Sequence, residues 1–359
     1  MSGPLVRDID ARLGATLAAH FDPVHGSPYW LARERELGID VRASIRSIDQ
    51  LPLLGPFDPV VLGSFPVEHF LPRAARDSHG LLFAETGGTS GEPRPIVYSR
   101  ADFEAAFVAP FLARTAGHDF GAGRWLWLGP GGPHVIGRAA QRIAELTTGA
   151  DAFCVDFDPR WFRRLTPGSL ARTRYLEHVL EQALRVLNVQ RIAHLFATPV
   201  VLAALADRLD AARRERIGFI YLGGMPLAPD AMRAIGIAFP RARCLAGYGN
   251  TLFGVTHEQA PGPARDVPPV YLPDSARLVV RVVPLREDAG GEDAVRLAQR
   301  VAPGTRGQVM MHRLDVSGFL PNVLERDSAV RVALDAAQDG LADPQPLERP
   351  GLHLDNGIY

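Results

Sequence analysis

The apolar positions of this chain change their period along its length. Through residues 1–80 short stretches with helical spacing are punctuated by prolines, as in LPLLGPFDPV at 51–60, which predicts a helical lead-in packed on a larger body. From residue 81 short apolar runs alternate with longer amphipathic stretches, the signature of an α/β fold whose sheet is covered by helices. LLFAE at 81–85, IVYS at 96–99, WLWLG at 125–129, HLFAT at 194–198, FIYLGG at 219–224 and RCLAGYGN at 243–250 read as strands. Ser99, with Asp102 three residues on, predicts a capped helix over 101–116, and a long helix is expected near 169–187. Thr198 can cap a helix that takes Pro199 at its first position and shows Leu202, Leu205 and Leu209 on one face. A further helix is expected at 229–239, and after about 259 the texture turns strand-rich (ARLVVRVVPL, GQVMMHRLD). The predicted organisation is a lead-in over 1–80, an α/β core over 81–258, a small β-rich subdomain over 259–330 and a short tail over 331–359.

Composition narrows the function. At 359 residues, 47% of them hydrophobic, the chain can bury the core of one large unit or two ordinary domains. A formal net charge of −1 supplies no basic field for a phosphate backbone, which argues against nucleic-acid binding and toward small-molecule chemistry. Cys154 and Cys244 fall in no disulfide or zinc pattern, so a reducing cytoplasm is the expected setting. Arg7, Asp8, Asp10 and Arg12 interrupt the N-terminal apolar stretches, and no segment supplies the roughly 18 apolar residues of a span, so neither a signal peptide nor a membrane anchor is expected. There is no lysine. All 39 residues counted as Lys plus Arg are arginines, so no step can use a lysine.

The segment richest in chemistry is TGGTSGEPR at 86–94, a turn between two predicted strands. Its backbone N–H groups and the hydroxyls of Thr86, Thr89 and Ser90 can point at one anion, with Gly87, Gly88 and Gly91 permitting close approach. A polar hairpin loop accounts for the same residues equally well. The segment is neither GxxxxGK[ST] nor GxGxxG, which excludes the P-loop and dinucleotide fingerprints. A dinucleotide reading of WLWLGPGGPHVIG fails too, for want of an acidic residue ending a following strand at the required spacing.

TGGTSGEPR resembles the phosphate-binding signature of the acyl-adenylate-forming superfamily, with Glu92 and Arg94 where lysines are common. Four further segments resemble that family's motifs in its order. GPHVIG at 132–137 is similar to the motif whose histidine, here His134, borders the acyl pocket, and ATPVVLAAL at 197–205 to the Thr-Pro helix start that follows. YLGGMPL at 221–227 resembles the segment flanking the adenine, which implies nucleotide contacts at Gly223, Gly224, Met225 and Pro226. GYGNT at 247–251 resembles the aromatic-Gly-x-Thr loop, which implies Tyr248 against the adenine, Gly249 and Asn250 beside the nucleotide, Gly247 beside the substrate and Thr251 on the α-phosphate. RLD at 313–315 and LERD at 324–327 resemble segments that imply Asp315 on the ribose hydroxyls and Arg326 as a hinge arginine reaching the ribose. SPYWLARERELGIDVRASIRSIDQLPLL at 27–54 further resembles the phenylacetate-CoA ligase branch, which extends the likeness over about 27–327.

The resemblance implies that Thr86, Thr89, Ser90 and Thr251 bind phosphates while a carboxylate attacks the α-phosphorus of ATP and displaces pyrophosphate. ATP, AMP and Mg2+ are the implied cofactors. An aromatic or heteroaromatic acid is the implied substrate, in a pocket bordered by His134 and walled by Trp125, Trp127 and Phe253. Two departures qualify this. Leu252 follows Thr251 where the family places its magnesium glutamate, leaving Glu258, read as a helical turn and a half away, as the candidate metal ligand. After Asp327 only residues 328–359 remain, too few for the family's mobile C-terminal domain and its lysine. That shorter layout resembles adenylating enzymes of phenazine antibiotic pathways more than acyl-protein synthetases, and implies that the adenylate passes to a downstream reductase or transferase. A homodimer is compatible with such a chain. The competing reading is a scaffold that holds a nucleotide or an acid without turning it over.

Overall fold

The computed structural model describes residues 4–88, 92–224, 227, 229–263, 269–286 and 293–347. The lead-in is helical, from Pro4–His20 and Pro28–Leu37 through short turns to Arg73–Arg76. A separate antiparallel hairpin, β1 (Leu82–Glu85) and β2 (Pro95–Tyr98), pairs Leu82 with Tyr98 and Glu85 with Pro95.

The main body is one sheet of mixed direction. Strands β3 (Arg124–Gly129), β4 (Phe153–Asp156), β5 (Ile192–Ala197), β6 (Phe219–Leu222) and β7 (Arg243–Asn250) run parallel in the order β4-β3-β5-β6-β7. Both faces of β3, β5 and β6 are covered, so they carry continuous apolar runs without alternation. Leu126, Leu195 and Ile220 stand in one row across the sheet with no exposed surface. Each such side chain contributes about 1.5–3 kcal/mol of burial.

Strand β7 is the pivot of the sheet. It is parallel to β6 but antiparallel to β8 (Gly254–Glu258), and beyond β8 follow β9 (Val270–Leu272), β13 (Asp339–Pro346), β12 (Gly318–Ala333), β11 (Arg306–Asp315) and β10 (Leu278–Val283). The β-rich region therefore extends the core sheet. The expectation of a tail from 331 is corrected, because Asp339–Pro346 lies between β12 and β9 within the sheet.

The helix expected at 101–116 spans Arg100–Phe103, a π-helical stretch Glu104–Val108, and Ala109–Arg114. Ser99 caps it, its hydroxyl accepting from the Asp102 amide at 3.1 Å. Pro110 cannot donate an amide and crowds the preceding turn, which accounts for the widened stretch before it. Thr198 caps Pro199–Ala206, and Leu202, Leu205 and Leu209 are buried as their spacing predicts.

Candidate functional site

The topology selects one end of the sheet. From β3 the chain moves outward to β4 and then returns past β3 to β5, so its direction of travel reverses between β3 and β5, and ligands of open α/β sheets sit beyond the carboxyl ends of the strands at such a point. His134, at the N-cap of the helix Val135–Thr148, follows β3 there, and Thr198 follows β5. Gly223 and Gly247 stand past β6 and along β7 at the same end. A broad surface concavity of about 820 Å³ lined by Asp210, Arg213, Arg216, Gly218 and Arg241 lies at the amino ends of β6 and β7, the opposite edge of the sheet.

The β1–β2 hairpin brings the phosphate-loop candidate to this end. The Thr86 amide donates to the Arg94 carbonyl at 2.9 Å, and the Arg94 amide donates to the Thr86 hydroxyl at 3.0 Å, closing the neck of the loop. Thr86 keeps its own hydroxyl proton to donate. Gly88 has φ of 65°, a conformation that favours glycine. Thr89, Ser90 and Gly91 lie outside the described residues, as do Met225 and Pro226.

Two arginines absent from the sequence expectations hold this neck. Both belong to the helix Pro159–Arg164, capped by Asp158. Arg160 donates to the Glu85 carboxylate and to the Thr86 carbonyl, each at 2.8 Å, and Arg163 donates to the Gly87 carbonyl. Burial first, and then the Arg160 charge, hold the His134 imidazole below its usual pKa, which keeps it neutral near pH 7. RWFRR after Asp158 was the available signal: a capped turn with three cations following a strand of the parallel sheet.

The second wall is the β7–β8 hairpin, where Tyr248 pairs with Thr256 and Asn250 with Gly254. Gly249 is required, since a Cβ there would stand 1.9 Å from the Gly254 carbonyl oxygen. At the tip, the Thr251 carbonyl accepts from the Tyr98 hydroxyl at 2.8 Å, joining the tip to β2 and hence to the phosphate-loop hairpin. Tyr248 packs on Tyr271 and donates to the Asp327 carboxylate at 2.8 Å. Asp327 and Glu325 project from one side of β12, and Glu325 bonds the Asn250 side chain. Burial, and then the neighbouring Asp327 charge, push Glu325 up to about 7. Arg326 is close enough to act electrostatically on Arg163, Glu325 and Asp327, which places β12 beside the helix Pro159–Arg164.

Asp315, expected at the ribose, does not stand with this group. It has no exposed surface, and its carboxylate accepts from Arg277 at 3.0 and 2.5 Å, from Arg313 at 2.7 Å and from Arg12 at 3.0 Å. Burial alone would raise its pKa, but Arg277 and Arg313 overcome it and hold the group below the ordinary carboxylate range. Its role is mechanical. Arg277 carries a bond to the Phe253 carbonyl, and Arg313 carries bonds to the Leu252 and Val97 carbonyls, so the cluster fixes the hairpin tip against β2.

Glu258 also stands apart from the hairpin tip. Residues 254–258 form a strand instead of a helix, so Glu258 sits about 13 Å from the tip by strand rise. Its carboxylate accepts the Ala246 amide at 2.7 Å. Leu252, at the family's glutamate position, is buried. Among the described residues no group of three or more His, Cys, Asp or Glu stands together to hold a metal ion.

Below the glycines lies a file of buried rings. Trp127 meets Phe196 at 4.4 Å between centroids, Phe196 meets Tyr221 at 4.1 Å, and the Tyr221 hydroxyl bonds His257 Nε2 at 2.7 Å. A Cβ on Gly247 would stand 2.9 Å from that hydroxyl, and one on Gly223 would stand 3.9 Å from the Phe196 ring, so both glycines open onto the file. Gly224, with φ of 82°, carries the chain outward beyond β6. Two expected wall residues belong to the core instead. Trp125 packs among Phe111, Phe120, His194 and Phe219, deeper along β3, and Phe253 is fully buried under the arginine cluster.

No protein-family model matches the chain, and no curated protein matches it. Solved structures do. The fold is similar to an open conformation of 2-hydroxyisobutyryl-CoA ligase in complex with 2-HIB-AMP and CoA, with a TM-score of 0.66 and 15% identity over 94% of this chain and 68% of that one. It is similar to the same ligase with these ligands in the thioesterification state, with a TM-score of 0.61 and 16% identity over 97% of this chain and 69% of that one. The postadenylation state with 2-HIB-AMP gives a TM-score of 0.59 at 16% identity, over 94% and 66%. The chain thus has the fold of an acyl-adenylate-forming ligase and spans about two thirds of those chains.

Proposed function

We propose that this protein activates a carboxylic acid with ATP, forming an acyl-AMP and releasing pyrophosphate. The observation that carries the reading is the meeting of two hairpins at the carboxyl ends of the parallel strands, Tyr98 of β2 bonded to the Thr251 carbonyl. One hairpin offers hydroxyls and amides suited to phosphates. The other offers the Tyr248 ring with a carboxylate, Asp327, bonded to its hydroxyl.

In this reading the adenine lies against Tyr248, and Asp327 accepts both ribose hydroxyls, an acceptor pair matched to a diol. Asp327 takes the place that the sequence assigned to Asp315. Thr86 and Thr251 donate to the phosphates, with Thr89 and Ser90 of the same loop. The carboxylate of the substrate attacks in line, and the chain contributes by aligning two anions and by aiming donors at the charge that develops. Magnesium, when bound, would neutralise the phosphate charge and would be held chiefly by phosphate oxygens and water, since this ion commonly keeps several waters. His134, Gly223 and Gly247 border the acid, and the flat rings of Trp127, Phe196 and Tyr221 behind them favour an aromatic or heteroaromatic substrate. The adenylate then passes to a partner reductase or transferase, as in the phenazine-type subgroup that the sequence resembles, within a cytoplasmic pathway of secondary metabolism. No helix among the described residues is long and apolar enough to cross a membrane.

The buried Leu252 favours one other reading, a scaffold that binds nucleotide without turnover. Pyrophosphate release from ATP and magnesium across a panel of aromatic acids separates the two. The adenylating reading expects acid-dependent release that a Thr89→Ala, Asp327→Ala double variant loses, with acyl-AMP as the organic product. Binding of ATP with no release for any acid would favour the scaffold.

A further inference from the structure

A polyphosphate needs cations, and in a lysine-free chain only arginine supplies a fixed one near pH 7. The arginines differ in what they already hold. Those around Asp315 are committed to it and to backbone carbonyls. Arg160 differs: its terminal nitrogens reach Glu85 and the Thr86 carbonyl, while its Nε–H is buried and has no partner. A buried donor left unmade is costly, so this one beside the phosphate-loop neck calls for a partner. Arg163, three residues on, bonds the Gly87 carbonyl one step further into the loop. Its own environment is cationic, for after burial the charges of Arg160 and Arg326 depress it despite Asp158.

We propose that Arg160 and Arg163 form the cationic wall that receives the polyphosphate of the nucleotide and the departing pyrophosphate. This rests on the adenylating reading and deepens it. The two guanidiniums fix the carbonyls of Thr86 and Gly87, the Arg160 Nε–H is left to donate to a phosphate oxygen, and Arg163 adds its positive charge beside it. As the bond between the α-phosphorus and the bridging oxygen breaks, its electron pair leaves with the pyrophosphate, and this wall takes up that charge. No proton transfer from the arginines is needed.

The test is calorimetric titration of the full chain with ATP, inorganic pyrophosphate and AMP, for wild type, Arg160→Gln and Arg163→Gln. Each variant is expected to lose about ten- to a hundredfold in affinity for ATP and pyrophosphate, the scale of one or two charge-assisted hydrogen bonds, while AMP changes by less than about threefold. Equal losses for AMP and ATP, or no loss for either, would overturn the proposal, since a clamp that merely shapes the loop has no reason to distinguish them. Pyrophosphate binding that depends on the two arginines, without any nucleotide binding, would uphold the wall and sink the adenylating reading instead. If the variants do not fold, phenylglyoxal labelling of the wild type decides. Pyrophosphate should shield Arg160 and Arg163 from modification where AMP does not, and labelling indifferent to either ligand would overturn the idea.

Discussion

Two carboxylates twelve residues apart on neighbouring antiparallel strands have opposite fates. Asp315 ends β11 in a triplet RLD, and Asp327 sits in β12 in a triplet ERD. Asp315 is sealed among Arg12, Arg277 and Arg313 and holds the β7–β8 tip through them. Asp327 is half-buried, meets the Tyr248 hydroxyl and stands beside Glu325 and Arg326. The same functional group is a structural rivet in one place and, in the proposed function, a ligand contact in the other. What distinguishes them is whether the partners it needs are already supplied by the protein.

The largest expected effect lies on the sealed side. Asp315→Ala strands buried guanidinium charges, which should cost about 3–5 kcal/mol of stability in a denaturant titration. A loss below about 1 kcal/mol would break the contrast drawn between the two acids. Next comes Gly249→Ala in the hairpin between them. With a Cβ 1.9 Å from the Gly254 oxygen the strands must part, and a loss of about 1–3 kcal/mol is expected in the same measurement.

Smaller effects should appear on the open side. Glu325 is raised in the folded state to about 7 from 4.5, so its stabilising contribution is complete below pH 4.5 and is lost as the pH rises toward 7. Between those limits the stability of wild type relative to Glu325→Gln should decline by about 1–3 kcal/mol, the comparison cancelling the opposite slope of the buried histidines. A Glu325→Gln profile that keeps the whole slope would remove that residue from the account. The smallest effect is assigned to Glu258. Because its carboxylate serves the Ala246 amide away from the tip, Glu258→Gln should leave the magnesium dependence of ATP binding within about twofold of wild type. A large shift in that dependence would restore it as a metal ligand.

Much of this was legible in the chain. Periodicity and capping residues located the strands of the parallel sheet and the helices after Ser99 and Thr198, and the small residues of 86–94 and 247–251 marked the two hairpins that meet. The different burial of Asp315 and Asp327 was not legible from triplets alone, because it depends on which arginines distant segments bring. A subtler signal was present. Leu314 and Val316 flank Asp315, whereas Glu325, Arg326, Asp327 and Ser328 make four polar residues in a row inside a strand of the sheet, a pattern at odds with full burial. Glu258 was misplaced by counting in helical turns where Gly254, Val255 and Thr256 favour a strand. Arg160 and Arg163 escaped notice because their approach to the loop crosses more than seventy residues of sequence.

The central claim is that the nucleoside rests on Tyr248 and Asp327, and titration of AMP against Asp327→Asn tests it most directly. The account predicts a variant that melts within a few degrees of wild type and binds AMP about ten- to a hundredfold more weakly, with adenine itself little affected. Wild-type affinity for AMP in a folded Asp327→Asn protein would contradict it.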